Sequence, residues 1–189
     1  MPAPFIPLLI RGSITLLGLA ALTWGAATCV QDLRAFLLLE QGKSEVLNFN
    51  FEGGLATVGQ AIALVPYQAE AHLYLANTYR ALSLYRDPKL YVPLARASYL
   101  EAARHNRSSA FVFYEFSLLY SQLNRFIEAL EPIEQSLLLE RNNAGYWLEK
   151  GRILEGAGQV TSARQAYIES NRLQPNEESK KALERFPKD

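Results

Sequence analysis

One block of residue types recurs along this chain at a period of 34, and that period leaves few folds open. In residues 144–177 the block reads Trp147, Gly151, Leu154, Gly158, Ala163, Tyr167 and Pro175. One period earlier, in 110–143, Phe113, Phe116, Ser117, Tyr120, Ala129 and Ser136 match it, with Ile133 at the second aromatic position and Arg141 in place of the proline. A further unit near 69–109 shows Leu75, Ala76 and Tyr79, then Ala95, Tyr99 and Ala102. Its two halves are out of phase by seven residues, which places an insertion at 85–92 around Arg86, Asp87, Pro88 and Lys89. Residues 54–66, with Leu55, Val58 and Ile62 at helical spacing, read as the second helix of a partial unit.

A helix–turn–helix unit explains the spacing. Small residues at Ala76, Ser117 and Gly151, and at Ala95, Ala129 and Ala163, let paired helices approach. Tyr99, Tyr120, Trp147 and Tyr167 fill the gaps between helices and between units. One unit cannot bury its own apolar face, so stacking must supply the stability, and the last unit needs a cap. Residues 176–186 suit that role. Asn176 is an N-cap, Glu177 and Glu178 lie in the first turn, Lys181 and Arg185 lie near the end, and Ala182, Leu183 and Phe186 cover the preceding unit.

These motifs resemble the tetratricopeptide repeat over residues 54–177. Lys150 and Ser170 depart from the usual leucine and alanine. The implied fold class is all-α: an N-terminal transmembrane helix, then a tetratricopeptide-type solenoid of about three repeats plus a partial one and a capping helix. The expected segments are an anchor at 1–34, an irregular connection at 35–53, repeats at 54–177, and a cap and tail at 178–189.

The anchor rests on residues 13–30, which carry no charge. As a helix they would run about 27 Å, near the hydrocarbon thickness of a bilayer. Arg11 lies just before them, and Trp24 sits toward their C-terminal end. Cleavage near Gly25, Ala26 and Ala27, or lipidation at Cys29, are competing readings of the same segment. The expectation is a single-pass membrane protein, in the inner membrane if bacterial, with the repeats on the non-cytoplasmic side.

Composition excludes several functions. The 19 Lys+Arg balance 19 Asp+Glu, so there is no basic footprint for nucleic acid. One cysteine rules out an intrachain disulfide, and His72 and His105 are far apart in sequence, so neither a metal nor another cofactor is implied. Glu128, Glu131 and Glu134 share helical spacing but read as a solvated face. No nucleophile motif or phosphate-binding glycine loop appears, so neither an enzyme nor a small-molecule substrate is expected.

In the family it resembles, the first helix of each unit lines a concave groove that receives partner segments. Carried over, that implies Leu73, Asn77 and Arg80, then Phe111, Tyr114, Leu118 and Gln122, then Leu148 and Arg152. Tyr85, Leu90 and Tyr91 in the insertion form a second candidate surface. Relatives that clamp a C-terminal carboxylate need cations and amides where this chain has Leu73, Glu115 and Glu149, and only Asn77 fits. The function expected is a non-catalytic interaction subunit or assembly factor of a membrane protein complex, with integral membrane proteins as partners. Its alternatives are an exported or lipid-anchored chaperone, and a regulatory partner of a membrane glycan enzyme.

Overall fold

A computed structural model describes residues 8–186, with side chains described from Ala21 onward. The described residues form helices α1 (Leu8–Leu47), α2 (Phe51–Leu64), α3 (Ala69–Tyr85), α4 (Pro88–His105), α5 (Ala110–Ser121), α6 (Phe126–Leu139), α7 (Ala144–Gly156), α8 (Val160–Leu173) and α9 (Glu177–Glu184), with no strand among them. They fall into two compact units, Met1–Pro66 and Tyr67–Asp189.

In the first unit α1 folds back on α2. The expected irregular connection at 35–53 is instead the end of α1, a turn at 48–50 and the start of α2. Gly42 and Gly54 explain the hairpin. A Cβ at Gly42 would meet the Gly54 carbonyl at 3.0 Å and Val58 Cγ2 at 2.7 Å, and one at Gly54 would meet the Gly42 carbonyl at 2.8 Å. Ala35, Leu39, Val58 and Ala61 are buried around this crossing. Asn50 caps α2 by accepting from the Gly53 amide at 3.2 Å. Gly42 and Gly54 are twelve residues apart, as are Ser117 and Ala129, and Gly151 and Ala163. The supposed half repeat is therefore a full hairpin in register with the others.

α1 runs unbroken through residues 13–30. Residues 1–7 of the expected anchor lie outside the described residues, as do the side chains of 8–20. Among the described residues, no helix is long and apolar enough to cross a membrane. Leu22, Trp24, Val30, Leu33, Phe36 and Leu37 are all exposed, at 50% to 76%.

The second unit stacks three hairpins, α3–α4, α5–α6 and α7–α8, and closes with α9. Ala76, Ser117, Ala95, Ala129 and Ala163 are fully buried at the helix crossings, with Tyr99, Ile133 and Tyr167 filling the spaces between. Burying a side chain the size of Ile133 stabilises by about 1.5–3 kcal/mol. The turns repeat too. Phe49, Asn124 and Gly158 have φ of 63°, 58° and 75°, and each lies seven residues beyond the small residue of its first helix. Ser83 holds the corresponding place in α3–α4, where the helix runs on. The inserted residues thus lengthen two helices and do not form a loop: α3 and α4 have 17 and 18 residues, against 12 and 14 in α5 and α6. Asp87 starts α4 by accepting from the Lys89 amide at 2.9 Å, with Pro88 in the first turn. At the far end Asn176 caps α9 through the Ser179 amide at 2.7 Å, and Phe186 packs 6.0 Å from the Tyr167 ring.

Candidate functional site: the first-helix face

α3, α5, α7 and α9 are joined along one face by side-chain contacts, which places the expected groove residues on a common surface. Its α3 end is an ion-pair network. Arg80 donates to the Tyr99 hydroxyl at 3.1 Å, to Gln122 Oε1 at 2.7 Å and to Glu115 Oε2 at 2.8 Å. The Tyr99 hydroxyl donates to Asn77 Oδ1 at 2.5 Å. Arg80, Asn77 and Gln122 therefore tie α3, α4 and α5 together before any partner arrives. Burial pushes the Glu115 carboxyl up, and the nearby Arg80 charge only partly offsets it.

The α9 end is charged in the same self-satisfied way. Glu149 is buried and accepts from Ser121 Oγ at 2.8 Å. Arg152 contacts Glu149 at 3.4 Å and Glu178 at 2.7 Å. Tyr167 donates to Glu155 Oε2 at 2.6 Å, and Arg185 donates to the same oxygen at 2.8 Å. Burial, the largest cause, and that Glu155 bond raise the Tyr167 hydroxyl well above its ordinary value.

Between these ends the face is aromatic. Tyr114 stacks on Tyr146 at 4.9 Å and lies 6.3 Å from Phe111. Burial, reinforced by Glu140, pushes the Tyr146 hydroxyl up to about 12. Phe111 is 48% exposed, and Tyr114 and Leu118 are half-buried. These three present apolar surface, whereas Leu73 and Leu148 pack mainly against the core. Asn77, Arg80, Gln122 and Arg152, expected as contact residues, also bond within the chain through their polar groups. Glu115 and Glu149, expected only as departures from a carboxylate clamp, bond across to the neighbouring helices through Arg80 and Ser121.

Of the insertion residues, Tyr85 and Leu90 are exposed, while Tyr91 stacks on Tyr79 at 6.1 Å. His72 and His105 stack at 5.5 Å despite their sequence separation, with Glu101 3.6 Å from His105 Nε2. Among the described residues, no three His, Cys, Asp or Glu side chains are placed to hold a metal ion.

No protein-family model matches this chain, and no curated protein does. Solved structures do. The Arabidopsis OM64 TPR domain superposes with a TM-score of 0.52 at 21% identity, over 62% of this chain and 92% of that one. The chain has the tetratricopeptide-repeat fold. A structure described as MamA MSR-1 C2 superposes at 0.58 and 22% identity, over 74% of this chain and 76% of that one. Pseudomonas aeruginosa pilF superposes at 0.61 and 19% identity, over 78% and 64%. Identities this low carry the fold alone.

Proposed function

We propose that this chain is a non-catalytic interaction subunit or assembly factor of a membrane protein complex. In this reading α1 holds it at the bilayer by residues 13–30, and the Phe111–Tyr114–Leu118 surface receives an extramembrane segment of an integral membrane partner. The observation that carries the reading is α1 itself: Leu22, Trp24, Val30, Leu33, Phe36 and Leu37 stand exposed on a continuous helix that leads into the repeats. Exposed apolar area of this kind marks a protein or membrane contact. Confining the repeats to the bilayer raises their effective concentration for membrane-bound partners without any new contact.

The groove chemistry agrees with an apolar or amphipathic segment. Its charges are matched internally, so a partner gains little by bringing its own charge to Arg80 or Arg152. The aromatic middle offers area for a helix face or an extended apolar strip.

A mild-detergent pull-down of the full chain beside a Tyr114→Ala/Leu118→Ala variant tests this. Integral membrane proteins recovered in fixed ratio, and lost with the variant, are the expected result. Recovery of soluble proteins alone, together with an intact mass lacking the first 27 or 28 residues, would replace this reading with an exported or lipid-anchored factor.

A further inference from the structure

The second unit holds a cleft of about 650 Å³ between α4 and α6, away from the first-helix face and floored by α5. Phe113, Phe116 and Tyr120 make the floor, and Pro93 and Pro132 face it from the two walls. Both prolines sit inside helices. They bring no N–H, so the carbonyls of Lys89 and Glu128, four residues earlier on the same walls, lose their helical donors. The cations are distributed unevenly. Arg125 is taken up by Glu128, while Lys89 and Arg96 on the α4 wall form no ion pair among the described residues. Arg96 lies instead by the Tyr120 hydroxyl.

The next repeat supplies an internal control. A cleft of about 510 Å³ lies in the corresponding place between α6 and α8. There Trp147 stands where Phe113 stands, Lys150 where Phe116 stands, and Glu134 where Leu100 stands, each 34 residues on. Lys150 lies 5.4 Å from the centre of the Trp147 ring and 3.3 Å from Glu134 Oε1, so that cleft is lined by a cation already matched to its counter-ion. In the α4–α6 cleft that lysine is a phenylalanine and its counter-ion a leucine, and the cations Lys89 and Arg96 stand on the α4 wall. Of the floor, Phe116 and Tyr120 are buried and Phe113 stays half-exposed. The two α4 cations outnumber the one carboxylate, Glu131, that lines the α6 wall without an ion pair among the described residues.

We infer that the α4–α6 cleft is a second docking site, for an acidic peptide segment that carries a large apolar side chain flanked by carboxylates. The apolar side chain lies on Phe113. A flanking carboxylate meets Lys89 and Arg96, and peptide N–H groups take the carbonyls that the prolines free. A basic segment is disfavoured by the α4 wall, and a polar one leaves Phe113 uncovered.

The test is fluorescence anisotropy of the full chain in detergent with three labelled peptides of one Gly/Ser frame, bearing Glu-Phe-Glu, Lys-Phe-Lys or Glu-Ser-Glu at the centre. The Glu-Phe-Glu peptide should bind with a Kd below about 1 mM and at least about tenfold more tightly than either control. A Lys89→Glu/Arg96→Glu variant, changed only at exposed positions and checked for unchanged helicity, should lose at least about tenfold for Glu-Phe-Glu and gain for Lys-Phe-Lys. Absence of saturable binding up to about 1 mM, equal binding of the three peptides, or indifference to the charge reversal would each overturn the inference. So would loss of binding with Tyr114→Ala, which would move the contact to the other face.

Discussion

Gly151→Ala isolates the physics behind the repeat. Gly151 sits within α7, where alanine is ordinarily the better helix former by about 1 kcal/mol. A Cβ there, however, would lie 2.5 Å from Tyr167 Cε1 and 2.6 Å from Cδ1, well inside the 3.4–4 Å of ordinary contact. The ring would have to move by about 1 Å, and it has little room. Tyr167 is 1% exposed, its hydroxyl is bonded to Glu155, and Phe186 packs on its far side. Overpacking of this kind costs about 1–3 kcal/mol, and the shift also weakens the Glu155 bond. Against the helix-propensity gain the net expectation is a loss of about 1–2 kcal/mol, or a fall in Tm of about 3–6 °C for a chain of this size. Urea and thermal unfolding followed by far-UV circular dichroism would measure it. Gly59→Ala is the matched control, since nothing lies within 4 Å of a Cβ at that position. It should stabilise by about 0.5–1 kcal/mol. If Gly151→Ala stabilises as much as the control, close approach at the small positions is not what organises the stack.

Other consequences can be measured independently. Phe49 is 82% exposed and held at φ 63°, so Phe49→Gly should stabilise the first hairpin by about 1 kcal/mol, read by hydrogen exchange in α2. Because burial raises the folded Glu115 pKa above the ordinary 4.5, this group favours folding most below 4.5 and progressively less as pH rises through its folded value. The stability of the native chain minus that of Glu115→Gln should therefore shrink as pH climbs from 4.5, and a growing difference would mean that the Arg80 attraction outweighs desolvation. A peptide whose recognition depends on its C-terminal carboxylate should show no binding in calorimetry. Glu115 and Glu149 occupy positions where a carboxylate clamp needs donors, and Asn77 is already engaged with Tyr99.

Most of the second unit was legible in the sequence because its signals are local: small residues twelve apart, an aromatic four residues later, and Asn176 before an acidic first turn. The first hairpin escaped for a physical reason. Gly42 and Gly54 hold the same twelve-residue spacing, but α1 merges without a break into the apolar stretch before it, so no cap marks where a repeat helix begins. The stretch 35–53 reads as an irregular connection because it carries no repeat signal, whereas Asn50 caps α2 within it. The insertion was legible in length but not in form. Seven extra residues continue both helices because Asp87 and Pro88 start α4 only after α3 has run past the usual turn. For the candidate groove, position in the repeat indicated which residues share a face. It could not say that Arg80, Gln122 and Asn77 bond to one another through Tyr99 and Glu115, since those partners lie 19 to 42 residues apart. The meeting of His72 and His105 was hidden by the same distance.

Site-specific photo-crosslinking in native membranes tests the central claim most directly. A benzophenone side chain would replace Phe111 on the first-helix face in one preparation, and Ile168 on α8, 43% exposed, in another. Covalent capture of an integral membrane protein from position 111 and not from 168 is the predicted result. Capture of the same protein equally from both positions, or of soluble proteins alone from position 111, would contradict the account.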